Sequence, residues 1–148
     1  QYIHTIGALW GIETVALRVF NAYGPGQSLP VSHAPVVPRF LKQALSGGSI
    51  VVFGDGRQTR DYIYVDDVVA ALVAAATVQS IDRSIINIGS GRETTILDLI
   101  AHIERATGKR TNVIHNPEKS GGVPHLAAEI SKARELLGFR PEIDLATG

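Results

Sequence analysis

Thr14–Phe20 and Ser84–Ile88 are β-rich runs, Thr-Val-Ala-Leu-Arg-Val-Phe and Ser-Ile-Ile-Asn-Ile, in which apolar and polar residues do not alternate. A strand with one wet face alternates with a period of two. A strand without that alternation is one covered on both faces, as in a parallel sheet flanked by helices. The pattern around these runs supplies such helices. Gln1–Trp10 reads as a helix end stopped by Gly11, and Val37–Leu45 as an amphipathic helix closed by Ser46-Gly47-Gly48. Asp66 or Asp67 is expected to cap a helix through Ala76. Thr95-Ile96-Leu97-Asp98 has capping-box spacing before a helix to Ala106, and Ser131–Leu137 precedes a terminating Gly138. Ile50–Phe53 and Thr111–His115 add short strands. Asn21–Pro35 and Asn116–Val123 read as loops. The expected class is α/β or α+β.

Composition narrows the function classes. The 148 residues are 45% hydrophobic and 19% charged, which is globular and not disordered. Formal net charge is zero and no basic tract stands out, so nucleic acid is not an expected partner. No apolar run reaches membrane-spanning length, so no membrane partner is expected either. There are no cysteines, which removes disulfides and thiolate metal sites and fits a reducing compartment; the cytoplasm is the expected location. Methionine is absent even at position 1, which predicts that residues precede Gln1. His4, His33, His102, His115 and His125 lack metal-ligand spacing.

The chemistry concentrates in Phe53–Asp67, where a Gly-rich turn, an arginine, an aromatic-apolar run and two carboxylates follow one another. Arg60 beside Asp61 reads either as a surface ion pair or, with Gly54 and Gly56 nearby, as a planar fork for a phosphate. Asn21 follows a buried-type strand, so it is either a turn residue or an amide donor at the carboxyl end of a strand, where α/β ligands bind. Asn87 lies similarly before Gly89-Ser90-Gly91. That triplet suggests phosphate cradling only weakly and fits a strand-to-helix turn better. Asp66 and Asp67 could be paired acid/base carboxylates, but capping explains them with less. A Gly-x-Ser-x-Gly elbow and a P-loop are both absent.

Taken in order, Arg18-Val19-Phe20-Asn21-Ala22-Tyr23-Gly24-Pro25-Gly26-Gln27, Val37–Ala44, Phe53–Asp67, Asn87–Gly91 and Ser131–Pro141 resemble the second half of the NAD-dependent nucleotide-sugar epimerases and dehydratases, of the extended short-chain dehydrogenase/reductase family. The resemblance runs nearly end to end. It implies the last strands of a partial Rossmann-like fold, Thr14–Phe20 and Ser84–Ile88, plus the small α/β substrate-binding domain. The whole of 1–148 would be one truncated C-terminal unit without the NAD-binding half. By position, Asn21 and Arg60 would contact the diphosphate of a nucleotide-diphosphate sugar. Asn87 would lie near the nucleotide, Phe53 would flank the base and Val37 would line the same pocket. Phe20 and Asn21 would approach the nicotinamide of NAD.

Lys119-Ser120-Gly121-Gly122 falls where many relatives have Arg-Pro-Gly-Asp. Lys119 keeps a charge without the bidentate fork, and Gly122 replaces a ribose-binding carboxylate, so the nucleotide preference is open. The family's Tyr-x-x-x-Lys would fall just before Gln1, and the dinucleotide glycine fingerprint does not occur in the chain. The expectation is therefore a substrate-binding portion, inactive alone, that needs NAD only in the complete enzyme. The alternatives are a free-standing nucleotide-binding or assembly module and a non-functional remnant. A strand that has lost its neighbours recruits another chain, so a homo-oligomer is expected.

Overall fold

The computed structural model describes residues 2–30, 34–117 and 122–148. Its elements are α1 (Tyr2–Trp10), β1 (Val15–Val19), β2 (Asn21–Tyr23), α2 (Val36–Ser46), β3 (Ser49–Phe53), β4 (Thr59–Arg60), β5 (Tyr62–Tyr64), α3 (Val65–Thr77), β6 (Ser84–Ile88), β7 (Thr94–Thr95), α4 (Ile96–Thr107), β8 (Asn112–Asn116) and α5 (Ser131–Leu137). The fold is α/β, with parallel pairing β1·β6, β2·β5 and β3·β8; β4·β7 is antiparallel.

Local signals set the start of α4 and the ends of α2, α4 and α5. Thr95 Oγ1 accepts from Asp98 N at 2.9 Å and donates to the Asp98 carboxylate at 2.6 Å, a short reciprocal cap that starts α4. Gly47, Gly108 and Gly138 close α2, α4 and α5 in the left-handed conformation. Gly56 is needed for both conformation and space. Its φ is 78°, and a Cβ there would stand 2.9 Å from Leu97 Cδ2.

Two cores meet along one strand. The first joins Ile63, Val68, Ala71, Ile81, Ile86, Ile88, Ile130, Ala133 and Phe139 around β1, β6, α3 and α5. The second joins Tyr23, Val37, Phe40, Ile50, Val52, Tyr62, Leu99, Ile100 and Ile103 around β3, α2 and α4. Successive strand side chains point to opposite faces, so β5 sends Tyr62 into the second core and Ile63 into the first.

The structure corrects four expectations. The stretch 21–35 does not begin as a loop: Asn21–Tyr23 forms β2, hydrogen-bonded to β5, because the chain continues past β1 onto a second parallel neighbour. β1 is not covered on both faces; Arg18 and Val19 are exposed, Val15–Leu17 are half-buried, and among the described residues its partner is β6. Neither Asp66 nor Asp67 is the N-cap of α3. Tyr64 holds that position with no side-chain cap bond, and both aspartates lie in the first turn. Asp67 is instead buried and accepts from Glu142 N at 3.0 Å and Ile143 N at 3.1 Å, which fastens the last residues to α3. Finally, Gly89–Gly91 does not run directly into a helix; β7 intervenes before α4.

Candidate functional site

The carboxyl ends of β1 and β6 lie side by side, with Val19 opposite Ile88. The chain leaving β1 is Phe20-Asn21. Phe20 N donates to Ile88 O at 2.8 Å, and Asn21 donates to the Asp61 carbonyl twice, from N at 3.2 Å and from Nδ2 at 3.0 Å. Asn21 and Asp61, 40 residues apart in sequence, are thus neighbours at the carboxyl end of a parallel sheet, the usual place for an α/β ligand.

Arg60 ends β4, opposite Thr94. Its Nη1 donates to Thr59 O at 2.6 Å and to Val123 O at 2.7 Å. The surface ion-pair reading of Arg60 with Asp61 is corrected: the Asp61 side chain is wholly buried and its carboxylate accepts from other groups. Its Oδ1 accepts from Ser90 N and Ser90 Oγ, both at 2.7 Å, and its Oδ2 accepts from Gly91 N and Ala128 N, both at 2.9 Å. The backbone N–H groups of Ser90 and Gly91 do form an anion cradle, and the anion is the chain's own carboxylate. Gly89 allows this approach. A Cβ there would meet Ala128 Cβ and would stand 2.7 Å from Asp61 Oδ2.

Around Arg60 the wall is polar. Thr59 Oγ1 donates to Glu93 Oε2 at 3.0 Å, and His125 Nδ1 lies 3.3 Å from the same oxygen, so the 122–126 stretch is tied to β4 and its flank. On the core side, burial pushes the Tyr62 phenol up to about 12, with the nearby Arg60 charge pulling it the other way. The Tyr23 phenol is also pushed up to about 12, first by burial and then by Asp144, Tyr64 and Asp67. Both phenols are neutral at ordinary pH.

The remaining expected residues fall nearby or elsewhere. Asn87 Nδ2 donates to Glu129 O at 3.3 Å, beside Ala128, which Asp61 holds. Phe53 ends β3, half-buried opposite Asn116, and its carbonyl accepts from Gln58 Nε2. Val37 is packed in the second core. Phe20 packs against the first. Lys119 lies outside the described residues. The structure thus bonds Asn21 to Asp61, the residue after Arg60, and leaves Asn87 one step away, on Glu129 next to the Ala128 that Asp61 holds; in sequence, Asp61 reads only as a possible ion-pair partner. The available signal was a carboxylate set immediately before Tyr62-Ile63-Tyr64; a charge in so apolar a strand needs several donors.

The sequence profile of the NAD dependent epimerase/dehydratase family matches residues 1–89. The chain belongs to the NAD-dependent epimerase/dehydratase family. A Methanocaldococcus jannaschii protein, provisionally named a UDP-glucose 4-epimerase, is 39% identical over 148 residues, which are all of this chain and 47% of that protein. The crystal structure of a Thermotoga maritima UDP-glucose 4-epimerase with UDP-glucose superposes with a TM-score of 0.90 at 36% identity, covering 99% of this chain and 47% of that one. A Bacillus cereus UDP-glucuronic acid 4-epimerase, solved with UDP-glucuronic acid and NAD, matches with a TM-score of 0.86 at 35% identity, over 98% and 45% of the two chains. The chain therefore spans about half the length of the relatives it matches, and its fold is the Rossmann-like fold of this family over that half.

Phe20 and Asn21 stand at a strand end that suits a nucleotide, and Asn21 Nδ2 donates one of its two hydrogens to Asp61 O. No glycine fingerprint opening a helix occurs in the 148 residues, so they do not supply the usual seat for the NAD pyrophosphate. Among the described residues no cluster of His, Asp and Glu could hold a metal, and no helix is long and apolar enough to cross a membrane.

Proposed function

We propose that this chain is the nucleotide-sugar-binding, C-terminal portion of an NAD-dependent sugar epimerase or dehydratase. The observation that carries the reading is Asn21, which follows the carboxyl end of β1 and bonds to the carbonyl of Asp61, the residue next to Arg60. An amide and a guanidinium so placed suit a diphosphate, and Arg supplies a fork that an ammonium lacks. Asn87, on the adjoining strand, faces the nucleotide end of the same ligand in this reading. Phe53 and Val37 would border the base, and Lys119 would add a positive charge.

NAD supplies transient oxidation of the sugar in such enzymes. In this reading the Tyr-x-x-x-Lys and the glycine fingerprint, which these residues do not contain, belong to the other half of the enzyme, and the chain alone binds without turning over. Calorimetry with UDP-glucose, UDP and uridine tests the binding. A Kd for UDP-glucose no tighter than that for uridine rejects diphosphate recognition. Turnover of UDP-glucose by the purified chain with added NAD, in a preparation free of host epimerase, rejects the inactive-alone part.

One observation favours a second reading, an assembly module. Tyr2, Leu9 and Trp10 on α1 and Leu72 and Val73 on α3 are exposed, Trp10 to 75%. Apolar surfaces of this kind mark contacts. In this reading two copies of the chain associate through them, and a clean monomer mass by light scattering at micromolar concentration rejects it.

A further inference from the structure

Asp61 ties together three separated stretches of chain. Its main-chain carbonyl accepts from Asn21 twice, once from the main-chain N and once from the side-chain Nδ2. Its carboxylate fixes the Ser90-Gly91 turn through three donors and the 126–130 stretch through Ala128 N. Each stretch bears on the proposed ligand site. Asn21 is on the first. Asn87 precedes the second and bonds to Glu129 O on the third. Arg60 is the preceding residue, and its guanidinium rests on Val123 O, just ahead of the third stretch. A wholly buried carboxylate is costly unless every lone pair is satisfied, and four donors between 2.7 and 2.9 Å satisfy this one. Such a group has one stable orientation, and the main chain on both sides of it inherits that orientation.

We propose that Asp61 is a positioning residue for diphosphate recognition: its buried carboxylate, locked in the Ser90-Gly91-Ala128 cradle, sets the angle at which Asn21 and Arg60 present their donors. It touches no ligand itself. The inference rests on the substrate-binding reading above, and the two fail differently.

The test compares UDP with uridine on the 148-residue chain, by calorimetry together with the side-chain amide signals of Asn21 in a 1H–15N spectrum. Asp61→Asn keeps the size and places an NH2 against a backbone N–H. UDP affinity falls about tenfold or more, the weight of one charge-assisted hydrogen bond, while uridine affinity stays within about twofold. The Asn21 amide signals move even without ligand. Should Asp61→Asn fail to fold, Ser90→Ala removes one of the four donors and gives a smaller loss of the same kind, and Ser90→Thr, which keeps the hydroxyl, restores it. Equal losses for UDP and uridine, or Asn21 signals unmoved in a folded variant, overturn the proposal. A wild-type chain that binds no UDP while its Asn21 signals move with Asp61→Asn overturns the nucleotide reading and supports the Asp61–Asn21 coupling.

Discussion

Asp67→Ala is expected to destabilise the chain by about 3 kcal/mol. Asp67 is 5% exposed, so solvent screening does little to reduce its interactions. Its two oxygens accept one backbone N–H each, from Glu142 at 3.0 Å and Ile143 at 3.1 Å. A hydrogen bond to a charged group contributes about 1.5–3 kcal/mol, but two on one carboxylate are not additive, which places the pair near 3 kcal/mol. The negative charge in the first turn of α3 adds roughly 0.3–1 kcal/mol from the helix dipole. For a domain of this size, about 2–4 °C per kcal/mol makes a fall in Tm of about 6–12 °C. Urea and thermal unfolding followed by circular dichroism measure it. Asp66→Ala is the control: Asp66 shares the first turn, is exposed, and offers only the dipole contribution, about 0.5 kcal/mol. Equal effects for Asp66→Ala and Asp67→Ala, or a loss under about 1 kcal/mol for Asp67→Ala, would refute the fastening of 142–143 to α3 as a source of stability.

Three further outcomes are expected. Arg60→Ala weakens UDP-glucose binding by about 1.5–3 kcal/mol and Arg60→Lys recovers only part of it, because the fork is lost; unchanged calorimetric affinity in Arg60→Ala removes Arg60 from the site. Stability is lost at alkaline pH. Tyr23 and Tyr62 keep their protons to about 12 in the folded chain and release them near 10.0 when unfolded, so their contribution is complete below pH 10.0 and disappears as pH rises to about 12. Urea midpoints that stay level between those pH values contradict the burial of both phenols. Gly89→Ala drives a methyl between Ala128 and the Asp61 carboxylate, opens the cradle and costs about 1–3 kcal/mol, the range for overpacking; a variant as stable as the parent in urea shows that the turn can shift aside.

The helices and strands were readable because their signals are local. Thr95 with Asp98 and the glycines at 47, 108 and 138 satisfy or terminate a helix within a few residues, so the sequence carries the cue beside the effect. The misread cases were those decided at a distance. Asn21–Tyr23 has the glycine and proline neighbours of a loop, yet becomes a strand because β5 offers it hydrogen bonds. Asp66 and Asp67 look alike in sequence; one faces water, and the other meets two amides that lie 75 and 76 residues further on.

By itself, the sequence leaves β2, β4, β5 and β7 unread, whereas the mixed helix-and-strand character, helices α1–α5, strands β1, β3, β6 and β8, the family resemblance and the candidate ligand residues Asn21, Arg60 and Asn87 are legible in it. Those follow from periodicity, capping chemistry and motif order, all of them properties of neighbouring residues. Only the tertiary structure decided what Asp61 does. Its partners are 29 to 67 residues away, and a carboxylate can be read as surface ion pair, cap or buried anchor until the donors around it are in place. Here four donors converge on a wholly buried carboxylate, which makes it a buried anchor and neither a surface ion pair nor a cap.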